Sequence, residues 1–414
     1  MNRQRLLNRF LQYVRIDTTA NEQTSNYPST PGQLELGRLL LEQLRELGLA
    51  DAGQNAHGIV TATVPGNLPG APPVVAFNAH VDTSPETTGA GVQPQVIENY
   101  SGGDLVLPGD PGKVISVAGC PELAACLGHT LITTDGTTLL GADDKAGLAI
   151  IMELAQHLLE HPEIPHGPVR LLFTCDEEIG RGTQHVDLEQ LGATVCYTFD
   201  GGGANQIDHE TFSADLAVVT VKGVNIHPSI AKDRMINAVR VAANLVDRLP
   251  RDLAPERTSG RAGFLHPYTV EGGVAQVVLR ILLRDFETSR LAEHAEVIRR
   301  AATATERDFP GCTISVETRK QYRNMAEGLA REPRAVQYAV EAHQQLGRTA
   351  ELTIVRGGTD GSQLTEKGLP TPNLSSGQHN IHSPLEWASL DEMFAACEVG
   401  VEIVRRWGAD SRSP

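Results

Sequence analysis

Short apolar runs that each end in acids or a histidine constrain the fold of this chain more than any other feature. The runs occupy residues 74–77, 169–174 and 195–199, and apolar residues at helical spacing occupy 3–14, 33–47 and the stretch after 142. Buried strands that alternate with amphipathic helices predict an α/β fold, in which a mainly parallel sheet is covered by helices on both faces.

The pattern changes from about residue 210. Strands are predicted at 215–224, 264–270, 275–284 and 313–318, and helices at 232–249 and 288–307. The order β-α-β-β-α-β is that of a ferredoxin-like α+β domain. The α/β pattern then resumes, with a helix near 334–346 and a strand at 352–355. A chain of 414 residues exceeds one ordinary core. The sequence therefore predicts a discontinuous catalytic domain, 1–209 and 325–414, and an inserted lid or dimerisation domain, 210–324.

Composition excludes several classes of protein. The formal net charge is -16, whereas a nucleic-acid surface needs Lys and Arg for its phosphate contacts. Neither an apolar stretch of membrane-spanning length nor a secretory signal pattern is present, so we expect a cytoplasmic protein. The six cysteines contain no CxxC pair, which predicts free thiols rather than a disulfide framework or a cysteine zinc site.

Acids and histidines follow the apolar runs at the points where the predicted strands end. They are His80 and Asp82, Asp143 and Asp144 after the run 139–141, Glu177 and Glu178, and Asp200, with His382 in the last loop region. Open α/β sheets bind ligands beyond the carboxyl ends of their strands. We therefore expect these side chains to converge on one edge of the sheet.

Each of these clusters has an ordinary structural explanation when it is taken alone. His-x-Asp is compatible with a solvated turn, an aspartate before a helix with an N-cap, and a Glu-Glu pair with a polar loop. Taken together, the His, Asp and Glu side chains suit two zinc-like ions that share one carboxylate. A glutamate beside a ligand can stay free as a general base.

At this point the sequence resembles the M20 metallopeptidases, and within them the enzymes that cleave tripeptides. The matching stretches are AHVDT at 79–83, ENYSGGD at 98–104, LITTDG at 131–136, LGADDKAG at 140–147, DEEIG at 176–180, His227-Pro228 with Ala231-Lys232, RDF at 284–286, YRNM at 322–325 and RGGTDG at 356–361. They run through most of the chain. His-x-Asp and Asp-Glu-Glu are shared widely in the family, whereas ENYSGGD, LITTDG and YRNM are more specific to the tripeptide enzymes.

The resemblance implies a role for each site residue. One ion would be bound by His80, Asp143 and Asp200, and the other by Asp143, Glu178 and His382. Glu177 would be the general base, Asp82 would orient His80, and His227 would help to hold the oxyanion. Arg284, Arg356 and Asn380 would contact substrate, although both arginines are equally compatible with structural ion pairs. The ions would be two Zn²⁺, and Co²⁺ or Mn²⁺ would suit the same ligands.

The activity that the resemblance implies is removal of the first residue from short peptides, in particular tripeptides. The main alternative is an M20-type amidohydrolase, either a deacylase of N-acyl amino acids or a carboxypeptidase, with the same metals. A second alternative is a metal-dependent binding protein without turnover. The expected partner is a short peptide, with no nucleic acid or membrane, and the resemblance also admits a homodimer through the lid.

Two departures from the family pattern lie close to site residues. Ser229 stands where the lid motif usually has glycine, and Ser383-Pro384-Leu385 replaces a glycine and a basic residue after His382. Neither departure removes a predicted ligand. Both affect the local backbone and therefore bear on the choice of substrate.

Overall fold

The computed structural model describes residues 1–410. The strands are β1 (Gly53–Gln54), β2 (Val60–Val64), β3 (Val75–His80), β4 (Gln95–Ile97), β5 (Leu105–Val106), β6 (Val114–Ile115), β7 (Leu131–Thr133), β8 (Val169–Thr174), β9 (Val195–Gly202), β10 (Gln206–Thr211), β11 (Ser213–Lys222), β12 (Phe264–Gly272), β13 (Gln276–Asp285), β14 (Thr313–Tyr322), β15 (Glu351–Val355), β16 (Asn373–His379) and β17 (Trp387–Ser389). The α-helices are α1 (Arg3–Tyr13), α2 (Pro31–Glu46), α3 (Ala142–Glu160), α4 (Leu188–Leu191), α5 (Ala238–Asp247), α6 (Arg290–Asp308), α7 (Ala326–Leu329), α8 (Arg334–Gln345), α9 (Asp360–Glu366) and α10 (Leu390–Asp410).

The chain divides into two compact units. The first contains Met1–His209, Met325–Thr353 and the residues from Thr359 onward, and the second contains Glu210–Asn324 with Ile354–Gly358. The short segment Ile354–Gly358 is therefore part of the second unit. None of the helices among residues 1–410 combines the length and the apolar character that crossing a membrane requires.

The large sheet of the first unit has the strand order β1-β2-β8-β3-β9-β16-β17-β7-β4, and β10 pairs with both β16 and β15. The four central strands β8, β3, β9 and β16 are parallel, and the strands outside them are antiparallel. Every residue of β3 is buried, which explains why this central strand shows no alternation of apolar and polar residues. The predicted α/β fold with its parallel sheet is confirmed.

Helix α3 brings the predicted acids to the centre of this sheet. The helix is buried along most of its length and packs against β3, β9 and β16, between α1 and α10. At Gly147 a Cβ atom would lie 2.3 Å from the carbonyl oxygen of Phe199, so a side chain there would push the helix away from β9. This close approach sets the N-terminus of α3 beside the carboxyl ends of the central strands.

One predicted strand is absent. Residues 139–141 were expected to form a buried strand before Asp143, but in the structure they are an irregular segment that leads into α3. Leu139 and Leu140 are buried, and a short buried run has the same apolar pattern as a buried strand.

The second unit contains a four-stranded antiparallel sheet in the order β12-β13-β11-β14. Helices α5 and α6 pack against it around a core from β11 and β13, in the predicted β-α-β-β-α-β order. The first helix begins at Ala238 rather than at 232. Ile236 exchanges two backbone hydrogen bonds with Val224, and the side chain of Asn237 caps the helix by accepting from the backbone N–H of Val239.

The six cysteines are free and buried.

Candidate metal centre

The predicted ligands converge at the carboxyl edge of the large sheet, within the first unit. The elements that bring them there are β3 for His80, the N-terminus of α3 for Asp143, the loop after β8 for Glu178, β9 for Asp200, and the loop after β16 for His382. Because β3, β8, β9 and β16 are parallel neighbours, their carboxyl ends meet at one edge. The expected convergence is therefore what the structure contains.

Asp143 lies between the two histidines. Its Oδ1 is 3.0 Å from Nε2 of His80, and its Oδ2 is 3.3 Å from Nε2 of His382. Nε2 of His80 is also 3.7 Å from Oδ1 of Asp200, and Nε2 of His382 is 3.0 Å from Oε2 of Glu178. One carboxylate thus faces a His-Asp pair through one oxygen and a His-Glu pair through the other, which is the arrangement of a shared ligand.

Asp144 also reaches this cluster. Ligand atoms of His80, Asp144 and Asp200 lie within 4.8 Å of one another, as do those of His80, Asp143 and Glu178. Asp144, however, is fully buried and accepts the backbone N–H groups of His80 and Gly147, both at 3.2 Å. Those bonds give Asp144 a structural role that Asp143 does not have.

The carboxylate of Asp82 holds the acidic loop after β8. It accepts the backbone N–H of Glu177 at 3.0 Å through Oδ1 and that of Glu178 at 3.1 Å through Oδ2. Nδ1 of His80 lies closer to the backbone carbonyl oxygen of Asp82, 3.1 Å, than to its Oδ1, 3.5 Å. Asp82 therefore fixes the imidazole mainly through its main chain and the glutamate pair through its side chain.

Asp176, the residue before the two glutamates, is held by a different set of hydrogen bonds. Asp176 has a left-handed backbone conformation, with φ of 62°. Its buried carboxylate accepts from the backbone and hydroxyl of Ser29 and from Nε2 of Gln33, while its own N–H donates to Oε1 of Gln33. Three consecutive backbone N–H groups, those of Asp176, Glu177 and Glu178, are thus each bound by a side chain. Hydrogen bonds therefore fix the backbone of the loop that carries Glu177, the predicted base.

The electrostatics of the cluster are those of a cation site. Burial lowers the pKa of His382, yet hydrogen bonds to Asp143 and Glu178 outweigh it and raise that pKa to about 12. For His80 the pKa is likewise raised well above its ordinary value, because Asp143, Asp200 and Asp82 outweigh burial. Burial raises the pKa of Asp200 to about 7 and that of Glu178 to about 8, and Asp143 adds to both rises. Protons held in this way occupy positions that a divalent cation takes when it binds.

One oxygen in the cluster supports this fit directly. Oε1 of Glu178 is buried and has no hydrogen-bond partner in the described part of the chain. A buried carboxylate oxygen without a partner is costly, and coordination of a cation removes that cost. The mixed nitrogen and oxygen donors suit Zn²⁺, Co²⁺ or Mn²⁺.

Glu177 has the properties of a proton carrier. It is half-buried beside the cluster and belongs to neither ligand group. Burial raises the pKa of Glu177 well above its ordinary value, the charge of His80 opposes this, and the charges of Asp360 and Asp200 add to the rise. A carboxyl group whose pKa is raised holds a proton more readily than an ordinary carboxyl group, as a general acid–base requires.

Sequence reasoning missed Glu386. This side chain is 1% exposed and accepts the backbone N–H groups of Leu140, Gly141 and Asp143. It stands four residues after His382 in a stretch whose local pattern is unremarkable, and its partners lie more than 240 residues away in the chain. No local signal could have identified it.

Of the residues predicted to contact the oxyanion or the substrate, His227, Arg284 and Arg356 lie in the second unit and Asn380 lies in the first. His227 is exposed, and its Nδ1 accepts the backbone N–H of Ser229 at 3.2 Å and lies 2.7 Å from the Ser229 hydroxyl. The serine at this departure from the family pattern therefore holds the imidazole of its own turn. A glycine would supply the backbone contact only.

Both predicted substrate arginines are engaged within the second unit. Nη1 of Arg284 lies 2.8 Å from Oε1 of Gln321, and the guanidinium is 5.3 Å from the centre of the Tyr322 ring. Arg356 donates to the carbonyl oxygens of Gly260 and Ala262 and to Oγ1 of Thr258, and it stacks on Phe212 and Phe264. Contact with substrate stays a prediction for both.

Asn380 begins the loop that carries His382. It has φ of 50°, and its carbonyl oxygen accepts from the hydroxyl of Ser383 at 2.8 Å. That hydroxyl also accepts the backbone N–H of Leu385 at 3.2 Å. Ser383, the first residue of the second departure, thus closes the turn after His382, and a role of Asn380 toward substrate stays a prediction.

Comparison with known proteins gives consistent results. The family model described as peptidase family M20/M25/M40 matches residues 133–406. A peptidase T of Geobacillus thermodenitrificans is 44% identical over 403 residues, which are 97% of this chain and 98% of that protein. Two crystal structures share the fold at 24% identity: an aminopeptidase PepT of Bacillus cereus, TM-score 0.75 over 98% of this chain and 99% of that one, and a tripeptidase of Staphylococcus aureus, TM-score 0.77 over 99% of each.

Proposed function

The chain belongs to peptidase family M20/M25/M40, and we propose that it is a two-metal aminopeptidase that removes the N-terminal residue of short peptides, in particular tripeptides. The observation that carries this proposal is the position of Asp143 between His80 and His382. Glu177 lies near His80 and Asp200 and belongs to neither ligand group. The similar peptidase T, aminopeptidase and tripeptidase support the class of substrate.

The ions would be held by two ligand groups that share one carboxylate. His80, Asp143 and Asp200 would bind the first ion, and Asp143, Glu178 and His382 the second. When bound, such cations polarise a peptide carbonyl and lower the pKa of a water molecule. Zn²⁺ is our proposal for both positions.

Glu177 would move the proton of the reaction. As general base it takes a proton from the attacking water while the new carbon–oxygen bond forms. As general acid it then delivers that proton to the departing amine nitrogen while the carbon–nitrogen bond breaks. Asp82 keeps the carboxyl group in place through the two backbone hydrogen bonds that it accepts from the loop.

The domain 210–324 would act as a lid. In this proposal His227 contributes hydrogen bonding to the oxyanion, and Arg284, Arg356 and Asn380 contact the substrate. The support for these roles is the family resemblance alone. A cytoplasmic location and pairing of two copies through the lid also stay predictions from the sequence.

The test is cleavage of trialanine, dialanine, tetra-alanine and N-acetyl-trialanine by the zinc-loaded protein, followed by mass spectrometry. We expect hydrolysis of free trialanine into alanine and dialanine, with an isotope-labelled first residue released as the free amino acid. Preference for the acetylated peptide would contradict the aminopeptidase proposal and favour the deacylase. Release of the last residue would favour a carboxypeptidase.

A further inference from the structure

A buried glutamate joins the two loops that meet at the proposed second ion. Glu386 accepts the backbone N–H groups of Leu140 and Gly141 through Oε2, both at 2.8 Å, and that of Asp143 through Oε1 at 3.1 Å. The side chain is 1% exposed, so these bonds are made in the interior. All three donors precede or begin α3.

Leu140 and Gly141 precede α3, and Asp143 lies in its first turn, so Glu386 binds both the segment before the helix and the helix start. The first backbone N–H groups of a helix have no partner within it, and the residue before α3, Gly141, has no side chain to cap them. A buried carboxylate in turn is costly unless hydrogen bonds compensate its charge. Glu386 and the three backbone groups therefore satisfy one another's need for hydrogen-bond partners.

The same residue is rigidly attached to the loop of His382. The backbone N–H of Glu386 donates to the carbonyl oxygen of Ser383 at 3.1 Å, which closes a turn directly after His382. Asp143, whose backbone N–H binds the Glu386 carboxylate, places its own Oδ2 3.3 Å from Nε2 of His382. Glu386 thus spans the gap between the backbone of Asp143 and the loop of His382.

We propose that Glu386 is a positioning residue, which sets the spacing of His382 and Asp143 and thereby the affinity of the second ion. We assign it no ligand role, because it belongs to neither ligand group and its two oxygens accept backbone N–H groups. The inference rests on the proposed metal centre and extends it by a residue outside both ligand groups. The first ion depends less on Glu386, because His80 and Asp200 are held by β3 and β9.

The test is Glu386→Gln, measured by calorimetric titration of the metal-stripped full-length protein with Zn²⁺. The amide keeps the size of the side chain but directs an N–H group toward backbone N–H groups. Outer-shell partners of metal ligands typically contribute 10- to 100-fold in affinity, so we expect the second ion to bind about 10- to 100-fold more weakly and the first to change little. Asp200→Asn and His382→Ala identify which binding step belongs to which ion.

The matched control is Glu153→Gln. Glu153 is also a fully buried carboxylate and lies further along α3. It accepts from the backbone N–H of Asn2 and from the guanidinium of Arg5. We expect this variant to lose thermal stability while both zinc affinities stay at their original values. Equal zinc affinities in Glu386→Gln and the unaltered protein, or an equal loss at both ions, would overturn the inference.

A second variant keeps the inference testable if Glu386→Gln fails to fold. Ser383→Ala removes the hydroxyl that closes the His382 loop and leaves the carboxylate in place. We expect the affinity for the second ion to fall by a smaller factor than in Glu386→Gln, with little change for the first ion. An unchanged affinity for the second ion would count against the positioning role. Because these titrations contain no peptide, a protein that binds two ions but leaves trialanine intact would contradict the proposed function and not this inference.

Discussion

The carboxylates of the candidate metal centre have different surroundings from several carboxylates of the second unit. In the second unit, Glu210 pairs with Arg261, Asp215 with Arg323 and Glu271 with Arg280. In the first unit, Asp143, Glu178 and Asp200 gather at one edge of the sheet and, among the described residues, form ion pairs only with histidines.

We interpret this difference as a division between acids that stabilise the fold and acids that are candidates for binding a cation. A carboxylate with an arginine partner is already compensated. Several carboxylates brought together without such partners repel one another and lose solvation, and a fold tolerates that arrangement when a cation supplies the missing charge. The predictions below test this division, beginning with the largest expected effect.

The largest effect is expected for Glu177→Gln, which removes the proposed general base and none of the proposed metal ligands. The rate of tripeptide cleavage should fall about 10²- to 10⁴-fold, the usual contribution of general acid–base catalysis. The bound zinc, measured by mass spectrometry, should stay the same. The exposed Glu287→Gln serves as control and should retain full activity. Near-normal activity of Glu177→Gln would remove Glu177 from the mechanism.

Zinc should stabilise the first unit selectively. A ligand at 100 times its dissociation constant stabilises the state that binds it by about 2.7 kcal/mol. Hydrogen exchange should therefore slow in segments 79–83, 139–147 and 175–181 when zinc is added to the stripped protein. Strands β11 and β13 should exchange at an unchanged rate. Equal protection of those strands would show that the cation acts on the whole chain, and the division between the units would fail.

A smaller effect is expected for Arg323→Ala in the second unit. The guanidinium binds the half-buried Asp215 at 2.8 Å and donates to the carbonyl oxygens of Ala214 and Tyr322. A buried polar group that loses its partner costs about 1–3 kcal/mol, so urea unfolding should show a loss of that size. Zinc affinity should not change, and Arg323→Lys should recover part of the stability. A drop in zinc affinity would contradict the assignment of this pair to the fold.

The smallest effect is expected for Arg251→Ala. Its pair with Asp247 lies one helical turn apart on the surface, with both side chains more than 70% exposed. Exposed pairs of this kind contribute little, so the free energy of unfolding should change by no more than about 0.5 kcal/mol in the same urea measurement. A loss as large as that of Arg323→Ala would mean that burial does not separate the two kinds of pair.

The sequence predicted the parts of the fold in which pattern and environment agree. Strand β8 occupies the predicted residues, because a strand buried on both faces is a continuous apolar run. Strand β16 went unpredicted although it lies between β9 and β17, because its residues are mostly polar. The hydroxyl groups of its serines have hydrogen-bond partners in β9: Ser375 and Ser376 donate to the carbonyl oxygens of Gly202 and Gly201. Composition alone does not reveal such a strand.

The candidate site shows the same limit. Residues that follow apolar strands, such as His80 and Asp200, were identifiable because topology brings the carboxyl ends of parallel strands together. The choice of Asp143 over Asp144 as shared ligand came from family resemblance, since adjacent residues have the same pattern. The part of Asp82 in holding the Glu177 loop depends on backbone groups 95 and 96 residues away, which no local pattern encodes.

The late position of β16 and His382 in the chain has a consequence for biosynthesis. Domains generally fold as units while they emerge from the ribosome. The sheet of the second unit lies within one continuous stretch, from Ser213 to Tyr322, and is complete before β16 has been translated. The large sheet lacks one of its central parallel strands until Asn373–His379 emerges, and the ligand set lacks His382 until slightly later. A chain that ends before β16 therefore holds the complete sheet of the second unit and an incomplete candidate metal centre.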